Sequence, residues 1–399
     1  MHRLTMLHPI DPRGSKVGGI ETHVRLMFER HPPDFSVLLV GVDERGDLEL
    51  GKVVKLPVGD QTIDFLPVVH IPDKEIHGAA KKLWQSVTLR FALGALRYLP
   101  TVRREGAAAQ ATTELQRFEF APIGRMLGRP VVQLVHGEGS RKDQMDSLIK
   151  RFWYINAVNE RIALRLASRI VCVNQNIIER FKKVMPQLVA KSELLTVSVD
   201  MDRFALAPFP EGDVFRVVFA GRLDAFKDPS LMFETMRRLH EARGGRFEFH
   251  YIGTSDPHRF AEFPAIEPFT IRHGFQNSKG VAAIMRQCHS GVLTSFFEGM
   301  PCYLLESLST GRPVGAIRLP QFDPLIIDGE SGFLVERPAD PVASAEAMTA
   351  GFLKLWDEIQ SGRLDPAAIR AKAIPYSTKV QMPKLFERHR QLAAAVARA

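Results

Sequence analysis

The feature that most constrains the fold is a rhythm. Short apolar segments at 4–7, 36–40, 131–135 and 170–173 alternate with stretches whose apolar residues recur at helical spacing. Segments of that length, rich in Val, Ile and Leu, read as strands buried on both faces, and strand–helix alternation predicts a parallel sheet covered by helices. The rhythm restarts after a polar, proline-containing stretch, Pro208-Phe209-Pro210-Glu211-Gly212-Asp213, with segments at 214–220, 247–252, 270–273 and 291–294. Two α/β domains are therefore expected, at 1–207 and 208–375. A final helix at 376–399, carrying Met382, Leu385, Phe386, His389 and Leu392, could pack on either domain, including back onto the N-terminal one.

Composition narrows the function classes. A chain of 399 residues with 45% hydrophobic and 25% charged residues is long enough for two cores and too apolar to be disordered. Cys172, Cys288 and Cys302 are too few and too scattered for a disulfide framework or a Cys-rich zinc site. The formal charge of +8 favours anionic partners without choosing among them. The start, Met1-His2-Arg3-Leu4-Thr5, runs into a strand without a signal-peptide pattern, and the most apolar run, around 91–99, is interrupted by Arg97. A cytoplasmic protein without a membrane span is expected.

Three motifs carry chemistry. Gly18-Gly19-Ile20-Glu21-Thr22-His23 follows the first strand and opens a helix, where backbone N–H groups and the helix dipole favour an anion; the same pattern also serves as an ordinary turn. Phe219-Ala220-Gly221-Arg222-Leu223-Asp224-Ala225-Phe226-Lys227 places two cations after the first strand of the second half, at the end of the sheet where open α/β folds bind ligands. Arg222 offers a planar fork for phosphate oxygens and Lys227 a mobile point charge, against the alternative of two solvated surface charges. Ser295-Phe296-Phe297-Glu298-Gly299-Met300-Pro301 leads into a helix opened by Pro301, with Glu306 inside it. Carboxylates accept from vicinal diols, so Glu298 and Glu306 can each read a sugar; the alternative is a helix-dipole glutamate plus a surface one.

Taken in order, these motifs resemble glycosyltransferase family 4, within the glycosyl transferases group 1. The likeness adds Leu134-Val135-His136-Gly137 and Val199-Asp200-Met201-Asp202-Arg203-Phe204 to the three motifs and covers nearly the whole chain. It implies a GT-B fold, two Rossmann-like domains with parallel sheets facing across a cleft, and a retaining, metal-independent hexosyltransferase using a nucleotide-diphosphate sugar, UDP favoured over GDP. His136, Glu298, Arg222 and Lys227 would be catalytic. Gly18, Gly19, Gly221, Arg222, Lys227, Glu298, Gly299, Met300, Pro301 and Glu306 would hold the donor. In this assignment Arg222 and Lys227 neutralise the diphosphate, Glu306 binds the ribose, Glu298 faces the transferred sugar as an electrostatic and positioning group, and His136 contacts the sugar. The leaving phosphate takes the acceptor proton, so no dedicated base is needed. Asp200-Met201-Asp202 matches a metal-binding D-x-D by letters alone, because it falls in the segment before the interdomain linker. No cofactor is expected beyond the co-substrate. Asp228-Pro229 after Lys227 departs from the family's common glycine.

The expected acceptor is lipid-linked or a polysaccharide, in bacterial surface-glycan synthesis. Residues 79–104 interleave Lys81, Lys82, Arg90, Arg97, Arg103 and Arg104 with Leu83, Trp84, Val87, Phe91 and Leu96, like a basic interfacial helix that contacts an anionic membrane. Lys150-Arg151-Phe152-Trp153-Tyr154, with Arg161 and Arg165, forms a second such cluster. The competing reading of both is a helix with aromatics in the core and cations in water. The protein would then be peripheral on the inner face of the plasma membrane. The main alternative function is a catalytically silent sugar-nucleotide-binding scaffold. A nucleic-acid binder is disfavoured, since no recognised module accompanies the basic residues.

Overall fold

A computed structural model of the chain describes residues 1–14, 16, 18–76, 83–137 and 153–397. They form two compact units, the first running to Val197 and resuming at Lys379, the second spanning Ser198–Thr378. The division falls earlier than the 207/208 position expected from the proline-containing stretch, and two arginines of the second unit explain why. Arg370 donates to the carbonyls of Met201 (2.8 Å) and Phe204 (2.7 Å). The fully buried Arg312 donates to those of Ala207 (3.0 Å) and Pro208 (2.6 Å). The segment before the prolines is thus tied to the second unit.

The first unit holds β1 (His2–Leu7), β2 (Phe35–Asp43), β3 (Val54–Val58), β4 (Gln61–His70), β5 (Ala111–Leu115), β6 (Val131–Val135), β7 (Arg169–Cys172) and β8 (Ser192–Leu194). Their order is β3-β4-β2-β1-β5-β6-β7-β8, parallel except for the β3–β4 hairpin. Gly59, at φ 59°, makes the hairpin turn, and Pro57 is tolerated because β3 is an edge strand. Alternate residues face opposite layers. Leu4 and Met6 pack under the helix Gly19–Glu29, whereas Leu7, Leu38 and Val40 pack under Phe91, Ala95 and Val102 on the other side.

The C-terminal helix Thr378–Ala397 closes the first of these layers. Met382, Leu385, Phe386 and Leu392 are buried there, the Phe386 ring lies edge-on to Phe35 at 4.8 Å, and Arg390 pairs with Asp34 at 2.8 Å.

The second unit holds β9 (Phe215–Ala220), β10 (Phe247–Ile252), β11 (Thr270–Gly274), β12 (Ser290–Leu293), β13 (Val314–Ile317) and β14 (Gly332–Val335). Their order is β11-β10-β9-β12-β13-β14, with every ladder parallel. Strand order reverses at β9, so the loops after β9 and β12 flank a topological switch point, the position at which doubly wound sheets bind ligands.

The basic stretch is not one helix. Ser86 caps a helix Val87–Arg97, Tyr98 ends it, and a second runs Leu99–Glu105 with Pro100 in its first turn. Its apolar residues divide: Phe91, Ala95 and Val102 enter the core, while Trp84, Leu93 and Leu96 are exposed. Lys81, Lys82, Lys150, Arg151 and Phe152 lie outside the described residues. Among those described, no helix is long and apolar enough to cross a membrane.

Candidate active site

In the second unit, β9 ends at Ala220 and Gly221 follows at φ 153°, a conformation favouring glycine, with its N–H bonded to the Ile252 carbonyl at 2.9 Å. The loop then projects Arg222, 70% exposed and paired with Asp224 at 2.8 Å, before burying Leu223. A short turn, Ala225–Lys227, brings Lys227 back toward the loop after β12. There Lys227 Nζ meets Glu298 Oε1 at 2.7 Å, and Ser295 Oγ donates to the same oxygen at 2.8 Å.

The two loops are stitched together. Phe296 N donates to the Phe226 carbonyl, the Phe226 and Phe297 rings stack at 5.0 Å, and Thr294 Oγ1 donates to the carbonyl of Lys227 at 2.7 Å. Gln321 Nε2 holds the Glu298 carbonyl at 2.7 Å. Because Oε1 takes both donors, Oε2 is the Glu298 oxygen that remains to accept from a ligand hydroxyl.

Asp228 occupies the left-handed region at φ 50°, the one described non-glycine residue with positive φ. That conformation explains why glycine would suit the position. Here an aspartate offsets the strain: its carboxylate accepts from Leu231 N, capping the helix Pro229–Ala242, and pairs with Arg337 at 2.6 Å. Arg337 also lies over the Phe296 ring at 4.0 Å. Asp228→Ala loses cap and pair while keeping the strained dihedral, so a stability loss of roughly 2–3 kcal/mol is expected in denaturant melts. Asp228→Gly should lose less.

Pro301 precedes the helix Cys302–Ser309, which carries Glu306 as expected. The Glu306 carboxylate makes no hydrogen bond among the described residues, and burial pushes its pKa up to about 7 against the attraction of Arg203. It is an acceptor awaiting donors. Gly299 and Met300 lie in the same loop, half-buried; Cys302, whose thiol burial pushes well up, faces the interior.

Of the residues expected in the first unit, His136 follows β6 with Nε2 2.5 Å from Gln116 Oε1. Burial, reinforced by His23 and His8 nearby, pulls its pKa down to about 3. Gly18 precedes and Gly19 begins the helix Gly19–Glu29. At φ 170° Gly18 is ordinary extended backbone, and the space above it is filled: Glu21 Oε2 lies 2.5 Å from where a Cβ would stand. Although burial opposes its charge, Glu21 is held well below the usual carboxylate range by His8 and Lys16, the latter at 3.4 Å. A carboxylate therefore shares the predicted anion site.

Lys227 and Glu298 are thus in contact, whereas Arg222 reaches Asp224 instead. Thr294, Gln321 and Arg337 were not anticipated, and Ser295 stands in its motif without an assigned role, because single polar residues carry no spacing signal. Asp200 of the D-x-D triplet accepts from the backbone N–H groups of Asp202 (3.1 Å) and Arg203 (3.2 Å), so its carboxylate caps its own turn. Among the described residues no three His, Cys, Asp or Glu side chains are arranged to hold a metal ion.

The two Rossmann-like units have the GT-B fold, which the solved structures below share. Residues 214–352, within the second unit, match the family model described as Glycosyl transferases group 1. Solved structures agree on the fold. A sucrose-phosphate synthase from Thermosynechococcus elongatus aligns at 16% identity over 99% of this chain and 100% of its own, with a TM-score of 0.75. Anabaena HepE, solved with UDP and glucose, aligns at 13% identity over 97% of this chain and 99% of its own, TM-score 0.63. S. aureus TarM, solved with fondaparinux, alpha-GlcNAc-glycerol and UDP, aligns at 11% identity over 97% and 99%, TM-score 0.67. No curated protein matches in sequence.

Proposed function

We propose that the protein is a retaining, metal-independent glycosyltransferase of family 4 that moves a hexose from a UDP-sugar to a lipid-linked or polysaccharide acceptor in surface-glycan synthesis. The observation that carries this reading is the Lys227–Glu298 contact at the switch point of the second sheet. Lys227 has three donor hydrogens. One serves Glu298, and the others can meet diphosphate oxygens as charge builds on the leaving group, with Arg222 swinging its exposed guanidinium onto the same phosphates. Glu298, oriented by Lys227 and Ser295, presents Oε2 to a sugar hydroxyl and its charge to the flattening anomeric carbon. Glu306 accepts from the ribose diol. UDP is preferred because HepE and TarM were solved with it. Asp200 being engaged in its own turn supports a donor site built on cations rather than on a D-x-D metal.

Retention can be tested without the acceptor. With no acceptor present, water can attack the anomeric carbon in its place, so UDP-α-glucose incubated with the enzyme in EDTA should release the α-anomer first, followed by proton NMR. Initial β-anomer would contradict the retaining assignment, and turnover only after adding a divalent ion would contradict metal independence.

The acceptor side rests on a second observation. Helices Val87–Arg97, Ala121–Met126 and Trp153–Leu166 pack in one layer on the first sheet, and Leu93, Leu96, Met126, Tyr154, Val158 and Ile162 are exposed on them. Arg97, Arg125, Arg161 and Arg165 are exposed among these apolar residues. That combination suits an anionic lipid surface at the inner face of a plasma membrane. Vesicles containing phosphatidylglycerol should co-sediment the protein and phosphatidylcholine vesicles should not, and Ile162→Glu with Leu93→Glu should abolish the difference. Equal recovery with both lipids would remove the membrane role.

A further inference from the structure

A polar chain crosses the apolar layer beneath the C-terminal helix. Thr112 Oγ1 and His389 Nδ1 are 2.8 Å apart; His389 Nε2 meets Glu114 Oε2 at 2.8 Å; Gln116 Nε2 meets Glu114 Oε1 at 2.5 Å; and His136 Nε2 meets Gln116 Oε1 at 2.5 Å. All five residues belong to the first unit. His389 and the Glu114 side chain are fully buried, so these bonds are costly to break and define positions closely.

The direction of every bond near His136 follows from donor chemistry. The Glu114 carboxylate only accepts, so the amide nitrogen of Gln116 must face it. That turns the Gln116 oxygen toward His136, and an amide oxygen only accepts. His136 must therefore carry its proton on Nε2. Nδ1, which makes no hydrogen bond among the described residues, is left as the acceptor. Other titratable groups surround the ring without hydrogen bonding it: His23 lies edge-on at 6.0 Å, and His8 and Glu21 act through their charge.

We infer that Glu114 and His389 are positioning residues, which lock His136 in its Nε2–H tautomer through Gln116 so that Nδ1 accepts a hydrogen bond from a substrate hydroxyl. The C-terminal helix thereby does more than close the core. It supplies, from a distant part of the sequence, the group that orients Glu114. The use of His136 by substrate rests on the function proposed above; the tautomer lock does not.

The test separates the two. The full chain labelled with ¹⁵N-histidine is compared with Gln116→Met, which removes both amide bonds at nearly constant volume and charge, and with the pair His389→Phe and His389→Gln, the second of which can still donate to Glu114. The wild-type His136 ring should show the Nε2–H pattern. That pattern should mix with Nδ1–H in Gln116→Met and His389→Phe and return in His389→Gln, while melting temperatures report folding. In a donor-turnover assay, kcat should fall by on the order of tenfold or more in the two disrupting variants with donor KM within about twofold. An Nδ1–H pattern in the wild type, or an unchanged pattern in folded Gln116→Met, overturns the inference. A tautomer that shifts while kcat holds supports the lock and instead removes His136 from the chemistry.

Discussion

Lys227→Ala should reduce kcat/KM for donor by on the order of 10²–10³, mostly through kcat, as expected when one preorganised charge is taken from a developing anion. The effect should exceed simple loss of a cation because Lys227 has two tasks. Its contact with Glu298 is largely shielded from water, so alanine also leaves that carboxylate facing an incoming diphosphate with its compensating charge removed. Lys227→Arg should recover less than full activity, since a planar fork cannot replace a point charge seated on the Glu298 oxygen that Ser295 also reaches. Steady-state kinetics with a verified donor check both. The double variant Lys227→Ala/Glu298→Ala should be less impaired than the sum of the singles, because the unpaired carboxylate is gone.

Glu306 governs the second large effect, and its sign depends on pH. Burial raises its folded-state pKa to about 7, above the ordinary carboxylate value, so the folded protein holds a proton there that the unfolded chain would release. Stability from this group is therefore fully present below the unfolded pKa and is lost as pH rises through about 7. Donor binding runs oppositely, because only the ionised carboxylate accepts two ribose hydrogens. Donor affinity should fall as pH drops below about 7, and Glu306→Gln should weaken binding on the order of tenfold at pH 8 while raising the ligand-free melting temperature. Calorimetric titration and thermal melts at pH 6 and 8 check the pair of opposed changes. An unchanged melting profile in Glu306→Gln would show that the carboxylate pays no burial cost.

Both effects sit on residues that stand out in the sequence, which measures what patterning can show. The strands at 131–135 and 247–252 agree with β6 and β10 because each has a wholly apolar face, Val132 and Leu134 in the first and Phe247, Phe249 and Tyr251 in the second. Strand β5 escaped because the alternate residues it buries are Thr112 and Glu114, which satisfy a polar chain rather than an apolar layer. The β3–β4 hairpin escaped because its edge strand is half exposed. In the second unit, Lys227, Glu298 and Glu306 occupy expected elements, but the contact between Lys227 and Glu298 depends on two loops folding back on each other. Spacing could not reveal that. Nor could it reveal that Glu21 fills the space above Gly18, or that Arg312 and Arg370 move the boundary between units.

Binding of a nucleotide diphosphate by the second unit through its own cations is the expectation on which the rest depends. Its most direct test is calorimetric titration of the full chain with UDP in EDTA, wild type against Lys227→Ala and Arg222→Ala. Wild type should bind without a divalent ion, and each variant at least about tenfold more weakly as a charge-assisted contact is lost. Equal affinity in all three proteins, or binding that appears only when a metal is added, would contradict it.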